Sequence, residues 1–213
     1  MDDLHSYIDY TYLQPVASIE KMHSLCEEAK KYRFASVCVH PYFLPIVRKQ
    51  LQYSSIGIGT VVGFPLGANS TATKMFEAKD AISEGATELD MVINISALKE
   101  GFYDAVKEEL YEIKQIARNQ ILKVILETCY LTHEEKIKAC LLCVEAGCDF
   151  VKTSTGMGTK GATVEDVALL RSTVGTQLGV KASGGIRDRE TAVAMIRAGA
   201  TRIGTSYALQ MMS

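Results

Sequence analysis

Two lysines lie within short apolar runs that have the character of buried strands. Lys152 falls in DFVKTS (149–154) and Lys181 in GVKAS (179–183). Side chains alternate across a strand, so Lys152 shares a face with Phe150 and Ser154, and Lys181 shares one with Ser183. The same alternation in ELDMVIN (88–94) groups Glu88, Asp90 and Val92, and in IDYTYL (8–13) it groups Asp9 with Thr11. If these four runs surround one interior, Asp9, Asp90, Lys152 and Lys181 converge. Neighbouring strands lie about 5 Å apart, and two desolvated ammonium groups at that spacing both favour the neutral amine. A neutral amine in a closed pocket attacks carbonyl carbon to give a Schiff base, and Asp90, a carboxylate across that interior, can move, directly or through water, the protons that dehydration and enamine formation require. This is metal-free, class I aldolase chemistry. A structural ion-pair network is the simpler account of any one of these residues, but it has little need of two adjacent lysines.

The remaining sequence supplies the frame. Apolar, β-branched runs recur at 8–13, 36–40, 56–62, 88–94, 122–127, 150–154, 179–183 and 201–206. Amphipathic segments with helical spacing alternate with them, including one long segment, ISALKEGFYDAVKEELYEIKQIAR, read as a single helix. Ser70, Thr132, Thr163 and Asp188 precede such segments as N-caps, and Gly85, Gly147 and Gly199 follow them as C-terminal glycines. Eight alternating units predict an α/β chain folded as a single (β/α)8 TIM barrel over residues 1–213, with only the stub YALQMMS in place of the eighth helix. A doubly wound sheet fits less well, because no G-x-G-x-x-G follows the first strand.

Composition narrows the function further. With 47% hydrophobic residues, 23% charged residues and a net charge of −2, the chain is an ordinary globular one without the basic footprint of a nucleic-acid partner. The opening MDDLHSYIDY lacks the features of a signal peptide and no run approaches a membrane span, so no membrane partner is expected and a cytoplasmic location is. Six scattered cysteines in apolar segments read as reduced thiols, and the Cys140-x-x-Cys143 pair reads as helix packing. His5, His23, His40 and His133 share no ligand spacing, so neither a metal nor another cofactor is expected; His40, at a strand end near the mouth, reads as a loop residue.

Loops after the last strands of such barrels often bind phosphate through backbone N–H groups. Here the loops after strands six, seven and eight read TGMGTKGAT, SGGIRD and GTSYA, with glycines where backbone must approach a ligand closely. A small phosphorylated sugar or aldehyde is the expected substrate.

IDYTYLQP, SVCVHPYFLP, TVVGFPLGANST, GATELDMVIN, KVILETCYLT, DFVKTSTG, VKASGGIRD and GATRIGT follow one another in an order that resembles the deoxyribose-phosphate aldolases across nearly the whole chain. The resemblance implies that Lys152 is the Schiff-base lysine, Lys181 the lysine that tunes it and Asp90 their acid–base partner. It also implies a substrate-binding set of Asp9, Thr11, Cys38, Gly156, Gly184, Gly185, Gly204 and Ser206, the last five with Gly184 and Gly185 at their centre surrounding the phosphate. The implied reaction is reversible cleavage of 2-deoxy-D-ribose 5-phosphate to acetaldehyde and D-glyceraldehyde 3-phosphate in deoxynucleoside breakdown, by a cytoplasmic homo-oligomer, commonly a dimer. The sequence departs from many members at Tyr207, where a small residue or serine is usual, at Tyr10, and in stopping short of a terminal tyrosine tail. Two other readings of the same residues are a phosphosugar isomerase, which the paired lysines disfavour, and a binding barrel without catalysis.

Overall fold

The structure, a computed structural model, describes residues 3–212; Met1, Asp2 and Ser213, which the single-barrel expectation also spans, lie outside the described residues. Eight parallel strands close into a barrel in chain order: β1 (Ile8–Tyr12), β2 (Ser36–Val39), β3 (Gly57–Val62), β4 (Glu88–Val92), β5 (Ile121–Ile125), β6 (Phe150–Lys152), β7 (Gly179–Ser183) and β8 (Arg202–Thr205). Each coincides with one of the eight apolar runs. The helices between them are α1 (Ile19–Tyr32), α2 (Leu44–Leu51), α3 (Thr71–Ser83), α4 (Ile95–Lys99), α5 (Tyr103–Ile116), α6 (His133–Glu145), α7 (Val164–Val174) and α8 (Arg189–Arg197), with α9 (Ala208–Met211) as the short last element.

Alternation along the strands separates two interiors. Outward-facing residues such as Val37, Leu89, Met91, Val124, Val151, Val180 and Ile203 are buried in one large apolar cluster with the inner faces of the helices. Burying such side chains contributes about 1.5–3 kcal/mol each. The inward-facing positions are different in kind. Barrel interiors are usually filled by branched aliphatic side chains, whereas here Asp9, Glu88, Asp90, Lys123, Lys152 and Lys181 are all buried.

Side-chain caps from Ser70, Thr132, Thr163 and Asp188 open α3, α6, α7 and α8, as expected. Gly85, Gly147 and Gly199 follow α3, α6 and α8 at positive φ. The segment read as one long helix is two. Gly101 takes φ +77°, the Phe102 N–H donates to Ala97 O at 2.9 Å, and the Gly101 N–H donates to Leu98 O at 3.1 Å. That is a Schellman ending, so Gly101 closes α4 before α5 begins. Cys140 and Cys143 are buried free thiols on α6, and burial pushes Cys140 up to about 12. Among the described residues no helix is long and apolar enough to cross a membrane.

At the start of α6, Thr132 Oγ1 accepts from the Glu135 N–H at 3.2 Å while Glu135 Oε2 accepts from the Thr132 N–H at 2.8 Å. Both halves of a capping box are therefore present. Thr132→Ala is expected to lower stability by about 1 kcal/mol and Thr132→Ser by much less, read from urea unfolding midpoints.

Candidate active site

Parallel register brings the interior charges together. β6 and β7 pair Lys152 with Lys181, and β4 and β5 pair Asp90 with Lys123. Asp90 Oδ2 accepts from Lys152 Nζ at 2.7 Å and from Lys181 Nζ at 2.7 Å, while Asp90 Oδ1 accepts from Lys123 Nζ at 2.9 Å. Lys181 Nζ also lies 2.5 Å from Asp9 Oδ2. Below this level, Lys123 Nζ donates to Glu88 Oε2 at 2.5 Å, and Arg202 Nη1 reaches Asp9 Oδ1 at 2.5 Å and Glu88 Oε2 at 3.2 Å. Ser36 Oγ donates to Asp9 Oδ1 at 2.7 Å.

The structure therefore brings Lys152, Lys181, Asp90 and Asp9 into one cluster, but in an arrangement that corrects two expectations. Asp90 bridges the two lysines rather than facing them across the barrel. The lysines are also not an equivalent pair of destabilised ammonium groups. For Lys152, burial lowers the pKa, and the Lys181 charge adds to that effect; the opposing pull of Asp90 does not make up the difference, so the net shift is downward. Burial also disfavours the Lys181 cation, but Asp9 and Asp90 together outweigh it and hold Lys181 charged, above the usual lysine range. Lys123 behaves like Lys181, its burial more than offset by Asp90, Glu88 and Asp9. Burial favours a neutral Asp90, yet Lys123, Lys152 and Lys181 hold it ionised, well below the usual carboxylate range. Lys152 is thus the amine in the cluster displaced toward neutrality.

Lys123 and Arg202 had no place in the sequence-based site, although Lys123 occupies an apolar run just as Lys152 does. Alternation had put Glu88 on the face of Asp90 without giving it a partner.

A cavity of about 230 Å³ opens at the C-terminal ends of the strands, with Lys152 in its wall. Thr11, Gly156, Gly184, Gly185, Gly204 and Ser206 line it, whereas Asp9 is packed deeper, against Lys181. Cys38 belongs to a small apolar cluster with Leu13 and Val61, against which Phe64 packs. Burial and Asp90 push the Cys38 thiol up to about 11, so it is protonated at neutral pH. His40 makes an edge contact with the Phe64 ring.

Backbone contacts shape the glycine-rich rim. The Ala162 N–H donates to Ser183 O at 3.1 Å and to Gly184 O at 3.0 Å, and a Cβ on Gly161 would overlap the Gly184 carbonyl. This close approach accounts for glycine at the end of the stretch after Lys152. Glu127, buried and at φ +54°, accepts from the Thr155 N–H at 3.2 Å and from the Thr155 hydroxyl. Thr155 Oγ1 in turn accepts from the Met157 N–H at 2.9 Å, so Met157 is fixed at the rim. Arg187 and Tyr207 also line the cavity, with the guanidinium 5.6 Å from the ring centroid. Arg187 lies inside the SGGIRD loop but was not distinguished there from its glycines.

Fold and site together define a (β/α)8-barrel enzyme whose interior lysine cluster opens at the C-terminal ends of its strands. The DeoC/LacD family aldolase model matches residues 4–212. The chain belongs to that family and is an aldolase, a lyase. It is 54% identical over 211 residues to the deoxyribose-phosphate aldolase of Brevibacillus brevis, covering 99% of this chain and 96% of the relative. It is 56% identical over 209 residues to that of Streptococcus sanguinis, covering 98% and 95%. A solved structure described as a unique tetrameric deoxyribose phosphate aldolase from Aeropyrum pernix superposes with a TM-score of 0.93 at 36% identity, over 99% of this chain and 90% of that one.

Because Asp9 and Asp90 titrate lower in the folded chain than when unfolded, the stability they confer is present above about pH 4 and is lost as the pH falls below that value. The urea midpoint is expected to decline from about pH 4 downward. Asp90→Asn is expected to cost about 3–5 kcal/mol at pH 7, since it takes a carboxylate from three buried amines, and to flatten the acid slope. Midpoints measured from pH 3 to 7 test both.

Proposed function

We propose that this chain is a deoxyribose-phosphate aldolase that works through an imine on Lys152. The observation that carries the reading is the position of Lys152: its amine is in the cavity wall, lowered in pKa, and 2.7 Å from an ionised Asp90.

The neutral amine attacks the C1 aldehyde of open-chain 2-deoxyribose 5-phosphate, giving a carbinolamine that loses water to form an iminium. Asp90 takes up the proton that Lys152 sheds. Its basicity rises at that moment, because one of the three cations that depress it has become neutral. Asp90 returns that proton to the carbinolamine hydroxyl as it leaves as water, and the carboxylate so regenerated takes the C3 hydroxyl proton, directly or through water, as the C2–C3 bond breaks. The bonding pair moves into C2 to give the enamine, and C3 leaves as the aldehyde carbon of glyceraldehyde 3-phosphate. Asp90 passes that proton to C2, and water then hydrolyses the iminium, releasing acetaldehyde and restoring the amine. Lys181 remains charged throughout and keeps positive potential beside the reacting nitrogen.

The phosphate is read as bound at the rim by the backbone of Gly156, Gly184, Gly185 and Gly204 with Ser206. Arg187, held over Tyr207, supplies the cation at that end. Thr11 is read as lining the end nearer C1, with Cys38 beside it on β2 and Asp9 acting through Lys181. A role in deoxyribonucleoside catabolism fits such a substrate, since 2-deoxyribose is the sugar that deoxyribonucleosides carry. The free thiols support a cytoplasmic site. Work as a homo-oligomer, a dimer at least, is supported by the tetramer of the Aeropyrum pernix relative.

Acetaldehyde with borohydride is expected to give an irreversible adduct on the peptide containing Lys152, and Lys152→Met to abolish both the adduct and sugar-phosphate cleavage. A folded wild-type protein that gives no adduct would refute the mechanism. Lys181→Leu leaves Asp9 and Asp90 less compensated, which raises the Lys152 pKa. The pH midpoint of adduct formation should therefore rise by roughly one unit; an unmoved midpoint would remove Lys181 from the tuning role.

A further inference from the structure

Beneath Lys152 the buried charges close into a circuit. Asp9, Glu88 and Asp90 supply three carboxylates, and Lys123, Lys181 and Arg202 supply three cations; the ion pairs link Arg202 to Asp9 and Glu88, Glu88 to Lys123, Lys123 to Asp90, Asp90 to Lys181, and Lys181 to Asp9. Three charges of each sign cancel before Lys152 is counted. Lys152 therefore meets a carboxylate already committed to two other cations, and its own protonation would leave the interior with a net positive charge.

Arg202 and Glu88 occupy the first positions of β8 and β4, at the end of the barrel away from the cavity. Neither is near enough to the cavity rim to be read as touching substrate. Arg202 is partly buried, its guanidinium 5.7 Å from the Phe150 ring, and Glu88 lies against Gly57, where a Cβ would meet its carboxylate. These packing contacts fix the lower half of the circuit. We propose that Arg202 and Glu88 are positioning residues that set the charge balance under Lys152 and thereby the pH at which its amine forms the imine.

The other groups facing this interior come from the first seven strands: Asp9 on β1, Ser36 and Cys38 on β2, Asp90 on β4, Lys123 on β5, Lys152 on β6 and Lys181 on β7, while β3 contributes Gly57, Gly59 and Val61. Of these only Cys38 lacks a charge to balance among the titratable groups, being a protonated thiol. Loss of Arg202 leaves one excess negative charge, which stabilises the Lys152 ammonium. Loss of Glu88 leaves one excess positive charge, which destabilises it. The two substitutions act in opposite directions, and their combination restores neutrality. A role confined to holding the barrel together gives no such sign pattern.

The proposal rests on Lys152 as the imine-forming amine, and the test separates the two ideas. Borohydride trapping of acetaldehyde on the full chain is followed by mass spectrometry across a pH series for wild type, Arg202→Met, Glu88→Gln and the double variant, with circular dichroism as the check on folding. The midpoint is expected to rise by on the order of one pH unit in Arg202→Met, to fall by a similar amount in Glu88→Gln, and to return near the wild-type value in the double variant. Shifts of the same sign, or unmoved midpoints in folded variants, overturn it. If Arg202→Met does not fold, a Glu88→Gln midpoint that fails to fall overturns it equally. Absence of any wild-type adduct would instead defeat the Schiff-base reading.

Discussion

One carboxylate in contact with three amines is the constraint on which this barrel depends. Asp90 has two oxygens, and Lys123, Lys152 and Lys181 reach it from three different strands, β5, β6 and β7. All four groups are buried. An ammonium or carboxylate left alone in such a place costs several kcal/mol, so the strand register that juxtaposes them and the apolar layer that holds the register must both be in place. The large cluster between sheet and helices supplies that layer.

The same contact decides which amine reacts. Two adjacent lysines suggest mutual repulsion, with both pushed toward neutrality. The structure distributes the carboxylates unequally instead. Lys181 touches Asp9 as well as Asp90, and Lys123 touches Glu88 as well as Asp90, whereas among the described residues Lys152 has Asp90 alone. Proximity to a second lysine lowers Lys152, but it is the lack of a second carboxylate that distinguishes it from its neighbours.

The eight strands were legible because their apolar, β-branched runs are bounded by caps and glycines that local chemistry dictates, and because alternation assigns a face to every residue. That logic identified Asp9, Asp90, Lys152 and Lys181 as interior. It passed over Lys123 and Arg202 because a long basic side chain near the start of a strand ordinarily curls out to water. In a closed barrel this exit is limited, and Arg202 turns inward to Asp9. Gly101 was visible in the sequence, but a helical period that resumes after it reads as continuous. Glu127 and Arg187 were hidden for another reason: their positions depend on how separate loops meet, which periodicity does not encode.

The alternation that separates the oily shell from the ionic lumen has an evolutionary edge. Parity along a strand decides to which compartment a residue belongs, so neighbouring codons in β4 or β7 answer to unrelated demands. A change at an outward position answers to fit within the apolar shell, and a change at an inward one to the charge balance of the lumen. A single-residue insertion or deletion within a strand allows no such independence. It would exchange the compartments for every residue beyond it, driving ammonium groups into oil, and the closed ring of hydrogen-bonded neighbours gives one strand no room to slide back alone. A change of length that keeps this barrel must therefore fall in the loops, where the rim of the cavity can be reshaped while the lumen is left untouched.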